Sequence, residues 1–312
     1  MITVLAGGVG AARFLAGLLD VVAPADVTAV VNVGDDTVLN GLHISPDLDT
    51  VTYTLAGAIN QETGWGLDGE TWNAMDTLGR YGGPTWFGLG DRDLGTHLFR
   101  TGRLAQGAPL SQVTVEIAAA WGLGLRLLPA TDSPLRTMVT VEDVDGEVRE
   151  IGFQEYFVGR RHSVVVKALR FAGADDATAG PDVLTAIAGA DVVVIAPSNP
   201  LVSIGPVLAV PGVLDAVTGQ RDHVVAVSPI VAGAALKGPA DRMLRELGHE
   251  ASVVGIARLY APIAAALVID SADADAVEAV EAEGMRAVVV PTVMSSPSIA
   301  AALASATISA TR

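Results

Sequence analysis

An apolar strand-like run at residues 2–5 passes directly into Gly7-Gly8-Val9-Gly10 and then into a helix-like run at residues 11–22. Glycine at such a turn lets backbone N–H groups approach a ligand closely, and the end of the following helix favours anions. A second strand-like run, residues 27–33, ends in Gly34-Asp35-Asp36. Short β-branched runs recur at residues 191–196, 223–227, 266–269 and 286–290, near helix-like segments such as 273–283. This alternation predicts an α/β fold with a Rossmann-like, doubly wound and mostly parallel sheet. Ligands of such sheets sit outside the carboxyl ends of the strands, where Gly7, Asp35 and Ser198 all fall.

The middle of the chain has a different texture. Residues 61–98 hold three of the tryptophans, Trp65, Trp72 and Trp86, among many glycines. Residues 109–122 read as a helix with Ser111 as its N-cap. Residues 136–166 alternate apolar and polar around Asp145-Gly146, a hairpin signal. The chain therefore reads as a single nucleotide-binding domain, residues 1–312, with an inserted α+β region at approximately 50–175 covering the sheet.

Composition narrows the chemistry. Half of the side chains are hydrophobic, enough for a large core, and cysteine is absent, which removes disulfides, thiolate catalysis and cysteine-ligated metal centres. A cytoplasmic location is expected. The apolar runs are too short for a membrane span, and the start of the chain carries Arg13 and Asp20 where a signal peptide would stay apolar. The net charge of −16 opposes attraction to nucleic acid or to an anionic membrane. A phosphorylated ligand must then be held locally, by N–H groups, a few arginines or a divalent cation.

Each motif has a plain reading beside its functional one. Gly8-Val9-Gly10 begins like a dinucleotide fingerprint, but Arg13 stands where a third glycine is expected, so an NAD(P)-dependent oxidoreductase is the runner-up. No Gly-Lys-Ser/Thr follows, which excludes a P-loop. Asp35 and Asp36 could merely end a strand, and Asp47 and Asp49 could cap a helix starting near Thr50. Taken jointly, the two acidic groups suit Mg²⁺, with Asp35 and Asp49 as the first choice of ligands. In Gly90-Asp91-Arg92-Asp93, Arg92 suits an anionic or polar substrate and a carboxylate suits a hydroxyl, against a local ion pair and helix cap. His97 reads as structural. Ser198-Asn199-Pro200 and Ser203-Ile204-Gly205 suit a base or phosphates, or a simple turn. A noncatalytic nucleotide-binding regulator is a third possibility.

The segments AGGVGAARFLAGL, VNVGDD, SPDLDT with YTLAG, FGLGDRD and APSNPLVSIGP together resemble the 2-phospho-L-lactate transferase family of coenzyme F-420 biosynthesis, in particular its actinobacterial phosphoenolpyruvate transferase branch. The resemblance runs from the first strand through Gly238. It implies transfer of a phospho-enolpyruvyl or phospho-lactyl group from a guanosine diphosphate-linked donor to the ribityl hydroxyl of the deazaflavin Fo, releasing GMP. By the same analogy Gly8, Gly10, Ser198, Asn199, Ser203 and Gly205 bind the guanosine diphosphate part, while Asp49, Asp91 and Arg92 face Fo. Asp35 and Asp49 would hold Mg²⁺, and one of them would help orient or deprotonate the hydroxyl. A homodimer is the expected assembly.

Overall fold

The computed structural model describes residues 1–143 and 145–311. In chain order its strands are β1 (Ile2–Ala6), β2 (Val27–Val31), β3 (Thr37–Leu39), β4 (Leu42–Ile44), β5 (Arg126–Pro129), β6 (Arg136–Glu142) and β7 (Val148–Gly152). They continue as β8 (Val165–Ala172), β9 (Val192–Ile195), β10 (Val224–Val227), β11 (Ile230–Val231), β12 (Ala234–Ala235), β13 (Ala266–Ile269) and β14 (Arg286–Val289). The helices that matter for the site are α1 (Gly8–Leu19), α2 (Pro46–Leu55), α3 (Asn73–Arg80), α4 (Asp93–Ala105) and α5 (Leu110–Ala120).

Seven strands form the central sheet in the order β14-β13-β10-β9-β1-β2-β5. Every pairing in it is parallel, with Ile2 opposite both Val27 and Val192. The chain starts at β1, winds outward through β2 and β5, then returns to β9 and winds the other way. The direction reverses between β1 and β9, so the crevice of a doubly wound sheet opens at their carboxyl ends. Strands β1, β2, β9, β10 and β13 are buried along their whole length, as helices on both faces require.

Three small antiparallel sheets are added: the hairpin β3–β4, the sheet β7-β6-β8 and the hairpin β11–β12. The turn at Asp145-Gly146 does connect a hairpin, pairing Glu142 with Val148. Within the stretch expected to be inserted, β5 goes back to the edge of the central sheet beside β2.

Several boundaries differ from the expected ones. Helix α1 begins at Gly8, so the glycine turn is also the first turn of the helix, entered through Gly8 at φ +68°. Arg13 is exposed and does not obstruct packing; the close approach occurs at Gly17, where a Cβ would collide with the backbone of Ala300 in the carboxyl-terminal helix. Helix α2 begins at Pro46, a residue suited to a first helical position, which places Asp47 and Asp49 inside its first turn rather than ahead of it. Ser111 is not the N-cap of α5. It lies one residue inside, and its N–H and hydroxyl donate to Asp132 at 2.6 and 2.8 Å, so a distant carboxylate caps that helix. The segment read as one helix at 273–283 is a 3₁₀ stretch, Ser271–Ala276, followed by a short α-helix, Val277–Ala282.

Candidate functional site

Over the carboxyl ends of β1 and β9 lies a cavity of about 550 Å³. One wall is backbone-rich and belongs to the sheet: Gly7–Gly10, then Pro197, Ser198, Asn199 and Ser203. This wall is tightly built, for a Cβ on Gly10 would run into the carbonyl oxygen of Pro197. Ser198 Oγ donates to Gly7 O at 2.8 Å, and Asn199 Oδ1 accepts from Leu201 N at 2.9 Å, capping the segment Pro200–Ile204. Both side chains therefore shape the wall as well as line it. Gly205 lies behind it, against the ring of Phe171, outside the lining.

The opposite wall is aromatic. Trp65, Trp86 and Phe87 come from the loops around α3, and Phe153 and Phe157 from the segment after β7. The last two rings stack at 5.5 Å and 10°. Such a wall suits a flat, largely apolar ligand.

Between the walls stand carboxylates in two groups. The first contains Asp35, from the loop after β2, and Asp47, from α2, with the carboxyl of the neighbouring Asp36 buried outside the lining. Asn32 Nδ2 donates to Asp47 Oδ2 at 2.9 Å, while its Oδ1 accepts from Gly34 N at 2.7 Å. Gly8 N–H also donates to Asp47, so the helix end meets a carboxylate of the protein itself. Burial, with the nearby charge of Asp47, raises the Asp35 carboxyl well above its ordinary range. Burial likewise raises Asp36 to about 8 and Asp47 to about 6. Asp35 Oδ1 and Asp36 Oδ1 are buried without a hydrogen-bond partner among the described residues.

The second group is self-compensated. Asp49, on α2, receives both guanidinium nitrogens of Arg100: Nη1 donates to Oδ2 at 3.1 Å and Nη2 to Oδ1. His97 Nδ1 lies 3.7 Å from Asp49 Oδ2, and its Nε2 lies 3.3 Å from Asp93 Oδ2. Tyr53 OH donates to Asp93 Oδ1 at 2.6 Å. Burial works to raise the Asp93 carboxyl, but the hydrogen bond and charge of His97, with Tyr53, hold it below its usual value. Asp49, Asp93 and His97 can each turn a ligand atom toward one common point, all within 4.8 Å of one another.

Asp35 and Asp49, the pair expected to bind metal, thus both line the cavity but belong to different groups. Asp36 lies between them and feels Arg100, Asp49 and Asp47. Asp91 and Arg92 fall outside the lining, whereas Asp93 is part of it. Asp91 accepts from Thr71 Oγ1, from Asn73 N and Nδ2, and from Ala74 N, which caps α3. Arg92 Nη1 donates to Asp68 O, and Glu70 takes the N–H groups of Arg92 and Asp93 at the start of α4.

Sequence reasoning passed over Asn32, Arg100 and the aromatic pair Phe153 and Phe157, read His97 as structural and weighed Asp93 only as part of the turn with Asp91 and Arg92. One signal for α4 was available. Asp93, His97 and Arg100 are spaced i, i+4 and i+7, a single helical face, and all three are buried. A buried polar face on a helix marks a site.

Residues 2–303 match the family described as 2-phospho-L-lactate transferase CofD. The chain is 49% identical to a phosphoenolpyruvate transferase of Streptomyces griseus over 305 residues, covering 97% of this chain and 96% of that one. It is 44% identical to a phosphoenolpyruvate transferase of Mycolicibacterium smegmatis over 313 residues, with the same coverage. A crystal structure of a Bacillus halodurans protein of the UPF0052 family shares the fold with a TM-score of 0.61 at 18% identity, covering 97% of both chains.

Proposed function

Because the chain belongs to the 2-phospho-L-lactate transferase family, and is a transferase of the phosphoenolpyruvyl or phospholactyl type, we propose a specific reaction for it. A guanosine diphosphate-linked three-carbon phospho donor passes its enolpyruvyl- or lactyl-bearing phosphoryl group to the ribityl hydroxyl of Fo, in coenzyme F-420 biosynthesis. The hydroxyl oxygen forms a new P–O bond, the P–O–P bridge breaks, GMP leaves, and the hydroxyl proton is taken up at the site. The protein acts in the cytoplasm as a homodimer in this reading.

What carries the proposal is the pairing of dissimilar walls in one cavity, a backbone-rich sheet edge facing an aromatic wall with carboxylates between. Gly8, Gly10, Ser198, Asn199 and Ser203 hold the guanosine diphosphate part, with Gly205 shaping their segment from behind. Asp49 faces the acceptor, supported by the corner that Asp91 and Arg92 fix. The partnerless buried oxygen of Asp35 and the convergent ligand atoms around Asp49 are what a divalent cation requires, so Asp35 and Asp49 fit a role in holding Mg²⁺. Bound there, Mg²⁺ supplies charge neutralisation at the phosphates. Positioning and electrostatics then suffice, without a protein nucleophile, while Asp35 or Asp49 orients the hydroxyl and accepts its proton.

Mass spectrometry of reactions containing Fo, Mg²⁺ and each guanosine-linked donor tests this directly. A product mass of Fo plus the phosphorylated three-carbon acid, with GMP in equal amount, is expected. Nucleotide release without modification of Fo would refute the acceptor.

A further inference from the structure

In a chain carrying −16, the cations at a phosphate-binding cavity are worth tracing one by one. Among the described residues that line the cavity, Lys237 is the sole lysine or arginine. Lysine occurs at positions 167 and 237 alone. Lys167 is ion-paired with Glu142, as surface lysines often are. Lys237 has no carboxylate partner among the described residues, and its ammonium donates instead to the carbonyl oxygen of Thr63 at 2.9 Å.

That ammonium bridges two segments of the chain. Lys237 follows the β11–β12 hairpin and reaches across to the loop at residues 60–66. A Cβ on Gly64 would stand 2.5 Å from Lys237 Nζ and 3.8 Å from Val9 Cγ1. Gly64 has φ +71° and no side chain, so it leaves the space that the ammonium fills. Lys237 Nζ and Val9 Cγ1 thus border the same space beside Gly64, and both residues line the cavity. The loop it grips is closed on itself: Asn60 Oδ1 accepts from Glu62 N and Thr63 N, and Asn60 N donates to Gly66 O.

Arg13 lies one helical turn beyond Val9 on α1. Arg13 is exposed and outside the cavity lining; partial burial and the charge of Arg13 both lower the pKa of Lys237. Lys237, the cation that does line the cavity, has no acidic partner among the described residues, although the protein has an excess of carboxylates.

We propose that Lys237 clamps phosphate oxygens over the glycine turn and, keeping its hold on Thr63, fastens the 60–66 loop over the bound donor. The identity of the donor rests on the transfer reading above; the anion site itself does not. The clamp supplies the positive charge that the sheet edge lacks, since Gly8 N–H is already engaged by Asp47. Lys237 is thus a binding and positioning residue for the donor.

The full-length protein with Lys237→Gln, Lys237→Arg and Arg13→Gln provides the test, using inorganic pyrophosphate and GDP as calorimetric probes. Lys237→Gln weakens both by about tenfold, whereas Lys237→Arg and, as a control outside the lining, Arg13→Gln stay within about threefold of wild type, because a charge-assisted hydrogen bond is lost in the first and kept in the other two. In turnover assays Lys237→Gln raises KM for the donor more than KM for Fo, whereas loosening alone of the 60–66 loop, which carries Trp65 of the aromatic wall, would raise both alike. Equal pyrophosphate and GDP affinity in wild type and Lys237→Gln, or no pyrophosphate binding by the wild type at millimolar concentration, would overturn the clamp. Lysine-dependent pyrophosphate binding by a protein that transfers nothing to Fo supports the clamp and overturns the reaction instead.

Discussion

Asp35 and Asp49 share one cavity and are almost equally buried, at 6% and 5% exposure, yet their charges are handled in opposite ways. Asp49 sits in a network from α2 and α4 in which Arg100 and His97 answer the carboxylates of Asp49 and Asp93. Asp35 sits with Asp36 and Asp47 at the sheet edge, where the nearest help comes from neutral donors, the amide of Asn32, the hydroxyl of Ser45 and the N–H of Gly8, with Arg100 acting on Asp36 through its charge. In the helical group Arg100 compensates Asp49 directly. In the sheet-edge group no cation among the described residues is in contact with the carboxylates, and burial raises their pKa values. The difference separates a carboxylate with a built-in cation from carboxylates without one.

The sharpest way to break this comparison is to remove the compensation. Arg100→Met leaves Asp49 buried with its main partner gone, and should cost about 3–5 kcal/mol in urea unfolding at pH 7. A loss below about 1 kcal/mol would mean that Arg100 does not balance Asp49.

Next in size, Asp35→Asn and Asp49→Asn should each reduce turnover by about a hundredfold or more, since each removes an anionic oxygen. Their stabilities should part. Asp49→Asn strands the Arg100 guanidinium and lowers the melting temperature, whereas Asp35→Asn relieves repulsion and leaves it unchanged or higher. Matching melting temperatures would erase the distinction between the groups.

A pH series sharpens the same contrast. The folded pKa of Asp36 is about 8 against an ordinary 3.8, so the folded state binds the proton more tightly than the unfolded state does. Its stabilising contribution is then complete below about pH 4 and is lost as pH rises through 8. Asp47 adds a smaller loss that ends near 6. The ligand-free protein should lose stability from pH 4 to 8, and Asp36→Asn should flatten that slope and stabilise it at pH 8 by on the order of 2 kcal/mol. Chemical unfolding at several pH values decides; an unchanged slope in the variant would refute the assignment.

The smallest effect is expected at the corner outside the lining. Arg92→Ala should weaken Fo binding by about threefold and GDP binding less, because Arg92 supports the corner next to Asp93 and lies away from the sheet edge. Fo fluorescence titration beside GDP calorimetry reads both, and a larger loss for GDP would reverse the assignment of the walls.

Much of this protein could be read from local pattern. The alternation of buried β-branched runs with helices predicted the parallel sheet and put the glycine turn at its carboxyl edge, where the cavity lies, because both depend on periodicity and backbone sterics within a few residues. The Asp145-Gly146 hairpin was legible for the same reason. The helical spacing of Asp93, His97 and Arg100 was also present in the sequence, but which way that face turned was not. Helix α4 points it inward because α2 brings Asp49 to meet it, a contact between segments far apart in the chain. Lys237 reaches Thr63 and the cavity only because the segment after the β11–β12 hairpin packs against the 60–66 loop. Sequence alone determined which residues could carry charge near the site. Tertiary structure decided which charges are paired, because the energy of a buried ion depends on partners within a few ångströms and on exclusion of water, and both are set by the packing of distant segments.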